Sequence, residues 1–496
     1  MILTGWGWVQ TTLLAIYLLA VLVAVTGIIS EKRDPVKSLA WIAMIALVPV
    51  LGMVVYLLFG RNWRKRKMFS RKGILDEEWI ENVSRRQFSS LSDPALSDPA
   101  ITDPAIAATP EIENNRDTIR LMLGNSRALL ALHNRVEVLQ NGKATFSSLY
   151  EALKGATRSI HLEYYIFEND RIGRQVEKIL TKKARAGVEV RLIYDGVGTL
   201  WTEGSIFRRL RRAGVRVECF MPVVFPWLTS RVNYRNHRKI AVIDGRVAYT
   251  GGINVAERYL VGTRRLGKWR DIHLRIEGEA VNLLQSVFIT DWHFVCPSEL
   301  LRPDDYFGKS SVAEVCPMQI AVSGPDSDWS AIMQAFFSAI MKARERIFIS
   351  TPYFTPNAAL LTAMKVAALS GIDVRLLIPG RSDSKVAWWA TRSYVQELLE
   401  AGIKVYMFQG GFNHSKLVII DGDFCSVGSA NIDMRSFEDN FEVSALIYDR
   451  AVAARLEAGY EADLRNSRLV TLDEWASRSN WVGGVESLAR LLSPLL

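Results

Sequence analysis

Cysteine and histidine are scarce in this chain of 496 residues. The four cysteines, Cys219, Cys296, Cys316 and Cys425, stand far apart, with no Cys-x-x-Cys pair and no histidine at zinc-ligand spacing. That pattern argues against a structural zinc site and a disulfide framework, and it is compatible with a reducing compartment. Charge is missing from two stretches. Residues 12–29 ("TLLAIYLLAVLVAVTGII") and 39–59 ("LAWIAMIALVPVLGMVVYLLF") carry none. Each has about the 20 helical residues needed to cross a hydrocarbon core. A basic residue ahead of the first run and a clear cleavage site after it are also missing, which disfavours a removable signal peptide. Pro49 in the second run is tolerable in a membrane span. A short connection joins the runs, so residues 1–60 are expected to form a transmembrane hairpin.

What is present in excess is positive charge, a net +9 with a sequence pI near 9.3. Such a balance favours an acidic partner, nucleic acid or anionic membrane. The run "RNWRKRKMFSRK" directly after the second apolar stretch holds seven Lys or Arg in twelve residues. By the positive-inside rule it places residue 61 and everything beyond on the cytoplasmic side, and it suits acidic lipid headgroups. Residues 91–110 repeat Ser/Thr-Asp-Pro-Ala and read as an extended tether, so 61–117 is expected to be a basic juxtamembrane segment and linker.

From about residue 118 the pattern is α/β, and it is written twice. "ATRSIHLEYYIF" (156–167) resembles "ARERIFISTPYF" (343–354), "AGVEVRLIYDG" (186–196) resembles "SGIDVRLLIPG" (370–380), and "LRRAGVRVECF" (210–220) resembles "LLEAGIKVYMF" (398–408). Two homologous halves follow, 118–310 and 311–496. In the same order after each comes a shared decapeptide, "NHRKIAVIDG" (236–245) and "NHSKLVIIDG" (413–422), holding two of only six histidines.

The five residues after each His-x are strand-like, and Asp-Gly is a favoured hairpin turn. Positions i and i+2 of a strand share a face, so His237 projects with Lys239, and His414 with Lys416. Asp244 and Asp421 fall on the opposite parity, in the turn, where a hairpin-fixing role outweighs contact with substrate. A second strand then ends in "GGIN" (251–254) or "GSAN" (428–431). The small residues Gly252 and Ser429 let backbone approach a ligand, and the amides of Asn254 and Asn431 can donate to phosphoryl oxygens. Two such sets facing one phosphorus suit a double-displacement phosphoryl transfer.

The doubled H-x-K-x4-D with G-[GS]-x-N resembles the phospholipase D superfamily. "HLEYYIF", "WRDIHLRIEG", "TPYFTP", "NIDMRSFEDNFEV" and the N-terminal hairpin narrow the resemblance to bacterial cardiolipin synthases. It implies a duplicated phospholipase D fold with the active site between its halves. The implied reaction joins two phosphatidylglycerols into cardiolipin and releases glycerol, with no metal and no cofactor. It implies His237 as nucleophile and His414 as general acid and base, with Lys239, Lys416, Asn254 and Asn431 holding phosphate oxygens. Asp244 and Asp421 complete the family's catalytic motif. Asp271 and Glu442 are the carboxylates expected behind the histidines. The implied partners are phosphatidylglycerol and anionic lipids rather than nucleic acid, and the implied location is a bacterial inner membrane, multi-pass. Self-association as a homo-oligomer is left open. Headgroup hydrolysis, a different lipid donor or acceptor, a nuclease and an inactive lipid-binding scaffold are the rival readings. Two stretches could meet lipid: "MPVVFPWLTSR" (221–231), evenly balanced against packing on the body, and "VAWWATR" (386–392), where a buried helix face is the stronger expectation. The C-terminal "VESLARLLSPLL" suits either the domain or the membrane surface.

Overall fold

The first apolar run folds as one uninterrupted helix, Leu3–Ser30. Within it, Gln10–Ser30 is long and apolar enough to cross a membrane, with mean hydropathy 2.6. The second run departs from the single span expected. It forms a helix over Pro35–Leu47, breaks, and resumes as Leu51–Val55. The break brackets Pro49, which brings no backbone N–H to a helix, and Val50 takes a positive φ of 65°. One helix among the described residues therefore meets the length and apolarity of a span, not two. The two elements still pack as a hairpin. Tyr17 Oη donates to the Ile45 carbonyl at 3.2 Å, and Ala24, Ile28, Ile45, Met53 and Tyr56 bury one another. Leu13, Leu14, Leu18, Leu19 and Leu22 face outward.

The structure is a computed structural model that describes residues 3–30, 35–48, 50–56, 77–92, 109–200, 202, 204–222, 234–327 and 329–493. The basic run after residue 60, most of the Asp-Pro-Ala repeat and the Phe225-Pro226-Trp227 loop lie outside these. The chain divides into two compact units: the hairpin helices belong to one, and the described residues from Glu77 onward to the other.

The larger unit is built on strands that arise twice. In the first half these are β1 (Leu130–Gln140), β2 (Ser159–Tyr164), β3 (Glu189–Asp195), β4 (Arg216–Phe220), β5 (Lys239–Ile243), β6 (Val247–Gly251), β7 (Trp269–Arg270) and β8 (Ile272–Gly278). The second half opens with β9 (Val315–Ser323), β10 (Arg346–Ser350), β11 (Phe354–Thr355), β12 (Asp373–Pro379) and β13 (Lys404–Phe408). It continues with β14 (Phe412–Asn413), β15 (Leu417–Ile420), β16 (Phe424–Gly428), β17 (Ile432–Asp433), β18 (Glu442–Ile447) and β19 (Ser467–Leu469). Fifteen of these form one sheet, ordered β19-β13-β12-β10-β15-β16-β18-β9-β1-β8-β6-β5-β2-β3-β4. Apart from the added β19, the order reads the same outward from the β9–β1 junction in either direction. That junction is antiparallel, with Leu130 opposite Gln319 and Ala131 opposite Met318.

Strand alternation fills two layers. Ala241 and Ile243 of β5 face one core with the helices Asn141–Gly155 and Arg171–Arg185, whereas Ile240 and Val242 face another with Ala280–Val295. In β15, Val418 and Ile420 face a separate outer core, and Leu417 and Ile419 join the same inner core as Ile240. The inner core is thus common to both halves. Part of the stretch expected to be tether is helical: Glu77–Ser92 docks on the body, with Leu91 in the second-half core, Ser84 Oγ donating to the Leu123 carbonyl at 2.8 Å and Gln87 bonded to both backbone groups of Leu130. The C-terminal residues form a helix, Asn480–Arg490, that buries Glu486 and Ala489 and leaves Trp481, Leu488 and Leu491 exposed.

The hairpin turns explain the Asp of the motif. Asp244 and Gly245 (φ 56° and 65°) and Asp421 and Gly422 (φ 51° and 71°) have the paired positive φ of a type I′ turn. The Asp244 carboxylate accepts from the amides of Thr157, Arg158 and Ser159 at 2.7–2.9 Å, and Asp421 accepts from those of Arg344, Glu345 and Arg346 at 2.7–2.9 Å. Each clamps its turn to the start of the neighbouring strand. Burial alone would raise the Asp244 pKa, but these amides hold it below 3.8. Its stabilisation is present above 3.8 and is lost as pH falls through the lower folded value. Asp244→Ala is expected to destabilise the protein by about 1–3 kcal/mol, read as a lower Tm. An unchanged Tm with lost turnover would return Asp244 to the chemistry.

Candidate active site

The two decapeptides meet at the seam between the halves. Just before β5, the Asn236 backbone pairs in parallel with Phe441: His237 N donates to the Phe441 carbonyl at 2.9 Å and Phe441 N to that of Arg235 at 2.8 Å. The second half repeats this, since β14 pairs in parallel with β7, placing Asn413 opposite Arg270, and His414 N donates to the Arg270 carbonyl at 2.7 Å. Phe441 and Arg270 each immediately precede one of the expected carboxylates. The chain entering each histidine therefore runs beside the chain entering a carboxylate of the other half.

The carboxylates are consequently exchanged. His237 Nδ1 lies 2.9 and 3.0 Å from the two oxygens of Glu442, and His414 Nδ1 lies 2.7 Å from Asp271 Oδ2. An ionised carboxylate only accepts, so Nδ1 carries the proton and Nε2 is left with its lone pair. The His237 and His414 side chains are 12% and 9% exposed, and those of Glu442 and Asp271 are 0% and 1% exposed, so only the rings reach toward solvent.

The carboxylates are held differently. Glu442 accepts from the Ser429 hydroxyl and from Asn440 Nδ2 at 3.3 Å. Asp271 accepts from its own neighbour, Ile272 N, at 2.8 Å, and a Cβ at Gly252 would lie 2.1 Å from Asp271 Oδ1. Ser429 and Gly252, expected beside substrate, instead serve the carboxylates: one donates to the longer Glu, the other leaves room for the shorter Asp.

Lys239 Nζ donates to the His237 carbonyl at 2.5 Å. Lys416 Nζ donates to the His414 carbonyl at 2.6 Å and lies 3.0 and 3.1 Å from the two ring nitrogens of His414. Burial lowers the Lys239 and Lys416 pKa values to about 7 and about 8, against the pull of Glu442 and Asp271. Burial also lowers His237 to about 4, with Glu442 opposing, and takes His414 well below 6.5, aided by the Lys416 charge. Asp271 is pushed up by burial to about 6, while Glu442 is drawn below 4.5, its own burial outweighed by His237 and Lys239. Without substrate both imidazoles are neutral near pH 7, in a buried site where Lys416 is largely and Lys239 partly protonated.

Asn254 and Asn431 sit beside this cluster in unlike states. Asn254 accepts from Ile166 N at 3.0 Å and donates to Tyr259 Oη at 2.7 Å. Asn431 Oδ1 meets no donor among the described residues. The sequence reading passed over the asparagine that opens each decapeptide, although both copies carry it. Asn236 Oδ1 accepts from Arg238 N at 3.1 Å and Asn413 Oδ1 from Ser415 N at 3.0 Å, turning the chain so that the histidine points into the seam. It also passed over Tyr259 and Trp269, whose rings pack 5.8 and 5.4 Å from His414. Trp388 and Trp389 are half-buried, with Arg392 lying over both rings.

Two like halves that each give one buried histidine and lysine to a common seam define a phospholipase-D-like protein. A family model described as "Cardiolipin synthase, PLD-like domain" matches residues 149–292 and again 336–464, and one described as "Phospholipase_D-nuclease N-terminal" matches 14–61. The chain is 41% identical over 468 residues to a cardiolipin synthase of Geobacillus kaustophilus, covering 94% of this chain and 90% of that one. It is 39% identical over 488 residues to the major cardiolipin synthase ClsA of Bacillus subtilis, covering 97% and 98%. A phosphatidylserine synthase from Haemophilus influenzae, 13% identical, shares the fold with a TM-score of 0.59 over 77% of this chain and 100% of that one. The chain belongs to the cardiolipin synthase family.

The exchanged pairs carry a prediction. Glu442→Gln and Asp271→Asn should each lower turnover by about 10²–10⁴-fold, as when the carboxylate behind a working imidazole is neutralised, with Tm little changed. Near-normal rates would make the pairs architectural only.

Proposed function

We propose that this protein is a phosphatidyltransferase that joins two phosphatidylglycerol molecules into cardiolipin and glycerol through a phosphohistidine. The observation that carries the reading is the pair of imidazoles at one seam, each with Nδ1 on a buried carboxylate of the opposite half, and with Lys416 beside His414 Nε2. Family membership over nearly the whole chain supports the choice of reaction. In the first step His237 Nε2 forms a bond to phosphorus as the bond from phosphorus to the glycerol oxygen breaks, and His414 gives that oxygen its proton. In the second, His414 takes the proton of a primary hydroxyl on another phosphatidylglycerol, whose oxygen displaces His237. Atoms balance, and both residues return to their starting state.

Charge explains the timing. Burial keeps His414 neutral in the free site. An arriving phosphodiester brings the negative charge that stabilises its imidazolium, so the acid forms when there is a substrate to protonate. Lys239, Lys416 and the side-chain N–H of Asn431 hold the equatorial oxygens, and the amide of Asn254 sets their surroundings through Tyr259. The residues present are sufficient for this chemistry without a metal. The N-terminal hairpin anchors the enzyme in a bacterial inner membrane, with residue 61 and everything beyond it on the cytoplasmic side. In this reading 118–310 and 311–496 are the two catalytic halves.

Purified protein with phosphatidylglycerol should yield cardiolipin and free glycerol, with EDTA having no effect; phosphatidic acid as the sole product would replace transfer by hydrolysis. His237→Ala and His414→Ala should each abolish turnover, and trapped phosphohistidine should appear only in the protein that keeps His237. In the wild type, kcat/KM should rise with pH as the imidazole nucleophile loses its proton near 4, then fall between about 7 and 8 as Lys239 and Lys416 lose theirs. Lys239→Arg should move the alkaline limb upward, because guanidinium keeps its charge.

A further inference from the structure

The loop between β12 and the helix Lys385–Arg392 carries a carboxylate that the two-step transfer leaves without a task. Asp383 is exposed, yet its position is fixed. Tyr353 Oη donates to Asp383 Oδ1 at 2.7 Å and Ser382 Oγ at 3.4 Å. From the first half, Arg265 donates across the seam to the carbonyls of Ser382 and Asp383 at 2.9 and 3.1 Å. Tyr353 directly precedes β11, which pairs with β17 just after Asn431. Among the described residues both hydrogen bonds to the carboxylate go to Oδ1, which leaves Oδ2 without a donor. Through Tyr353 and the β11–β17 pairing the loop lies at the Asn431 end of the site, and the Asp383 charge raises both His414 and Lys416.

That end has no equal on the other side. In the repeat, "YDGVGT" (194–199) corresponds to "IPGRSD" (378–383), so Thr199 stands where Asp383 does, and Ile166 stands where Tyr353 does. Thr199 is buried, and its hydroxyl donates to the Asp195 carbonyl at 2.6 Å. A carboxylate repels a phosphodiester and only accepts hydrogen bonds, so its partner is a donor, and the donor that the transfer reading brings here is the neutral glycerol headgroup. With Oδ1 held by Tyr353, the Oδ2 atom is placed to accept from neighbouring hydroxyls, and hydrogen bonds to an ionised acceptor are the stronger kind.

We infer that Asp383, braced by Tyr353, is a specificity-determining residue that binds the vicinal hydroxyls of the glycerol headgroup on the His414 flank. The inference rests on the transfer reading, and it makes that side the one where a polyol leaves and its replacement arrives.

The test compares phosphatidylglycerol with phosphatidyl-1,3-propanediol, which keeps the primary hydroxyl and lacks the middle one. Wild type should prefer the glycerol lipid by about tenfold in kcat/KM, as expected for one net hydrogen bond at an exposed site. Asp383→Ala should lose most of that preference by slowing on phosphatidylglycerol while keeping its rate on the propanediol lipid within about twofold. Tyr353→Phe, which frees Oδ1 but leaves the charge, should shift the preference in the same direction. An equal fall on both lipids would assign Asp383 to the electrostatics of His414 and overturn the proposal, as would a wild type indifferent to the middle hydroxyl. Failure of the wild type to make a dimeric lipid from either substrate would instead remove the transfer reading beneath it.

Discussion

The exchange of carboxylates across the seam is the contact on which the rest of the molecule depends. Glu442 reaches His237 and Asp271 reaches His414, so neither half holds a complete pair. Buried carboxylates beside buried imidazoles are tolerable only when each finds its partner within hydrogen-bond reach, because an unmatched charge in such a place costs several kcal/mol. The halves must therefore be fixed to within tenths of an ångström. The β9–β1 junction does this at long range by making one sheet of two, and the inner core packs residues of both halves together. The parallel pairing of Asn236 with Phe441 and of β14 with β7 does it locally, because backbone bonds set the register just before the reacting side chains.

Much of this was legible in the sequence because it is local. Strand parity paired each histidine with its lysine, the Asp-Gly dipeptides marked turns, and the twofold writing of the chain gave the duplication. Which carboxylate stands behind which histidine was not legible, since it depends on strand order and on the way two sheets join. Ser429 and Gly252 were read as a substrate contact because glycine and serine at a strand end suit close approach. In the structure protein carboxylates lie there, Glu442 at Ser429 and Asp271 at Gly252. The helix Glu77–Ser92 was hidden by its neighbourhood: a basic run on one side and Asp-Pro-Ala repeats on the other drew attention from apolar positions such as Val83 and Leu91. The second apolar run has the composition of a span, but composition does not register the local loss of a helix hydrogen bond around Pro49.

The two halves are alike in backbone and unlike in the groups behind the motif. Asn236 donates to Glu163 at 2.5 Å where Asn413 donates to Ser350 at 3.1 Å. Glu163 is fully buried near Asp291, and burial with that like charge raises it well above 4.5, while Arg238 pairs with Asp291. The second half puts a neutral hydroxyl at the same place. Behind Asn236 the first half therefore buries a carboxyl next to an Arg238–Asp291 ion pair, where behind Asn413 the second half has the Ser350 hydroxyl.

These differences follow from covalent linkage of the halves. A symmetric dimer of identical chains would present one phosphorus with two identical flanks, and any substitution that suited the departing group would be imposed on the other side as well. Joining the copies in one chain through the β9–β1 junction keeps the geometry of a dyad while releasing its chemistry from it. Glycine can stand at 252 and serine at 429, threonine at 199 and aspartate at 383. The site keeps the arrangement of a dyad while its two flanks carry different groups.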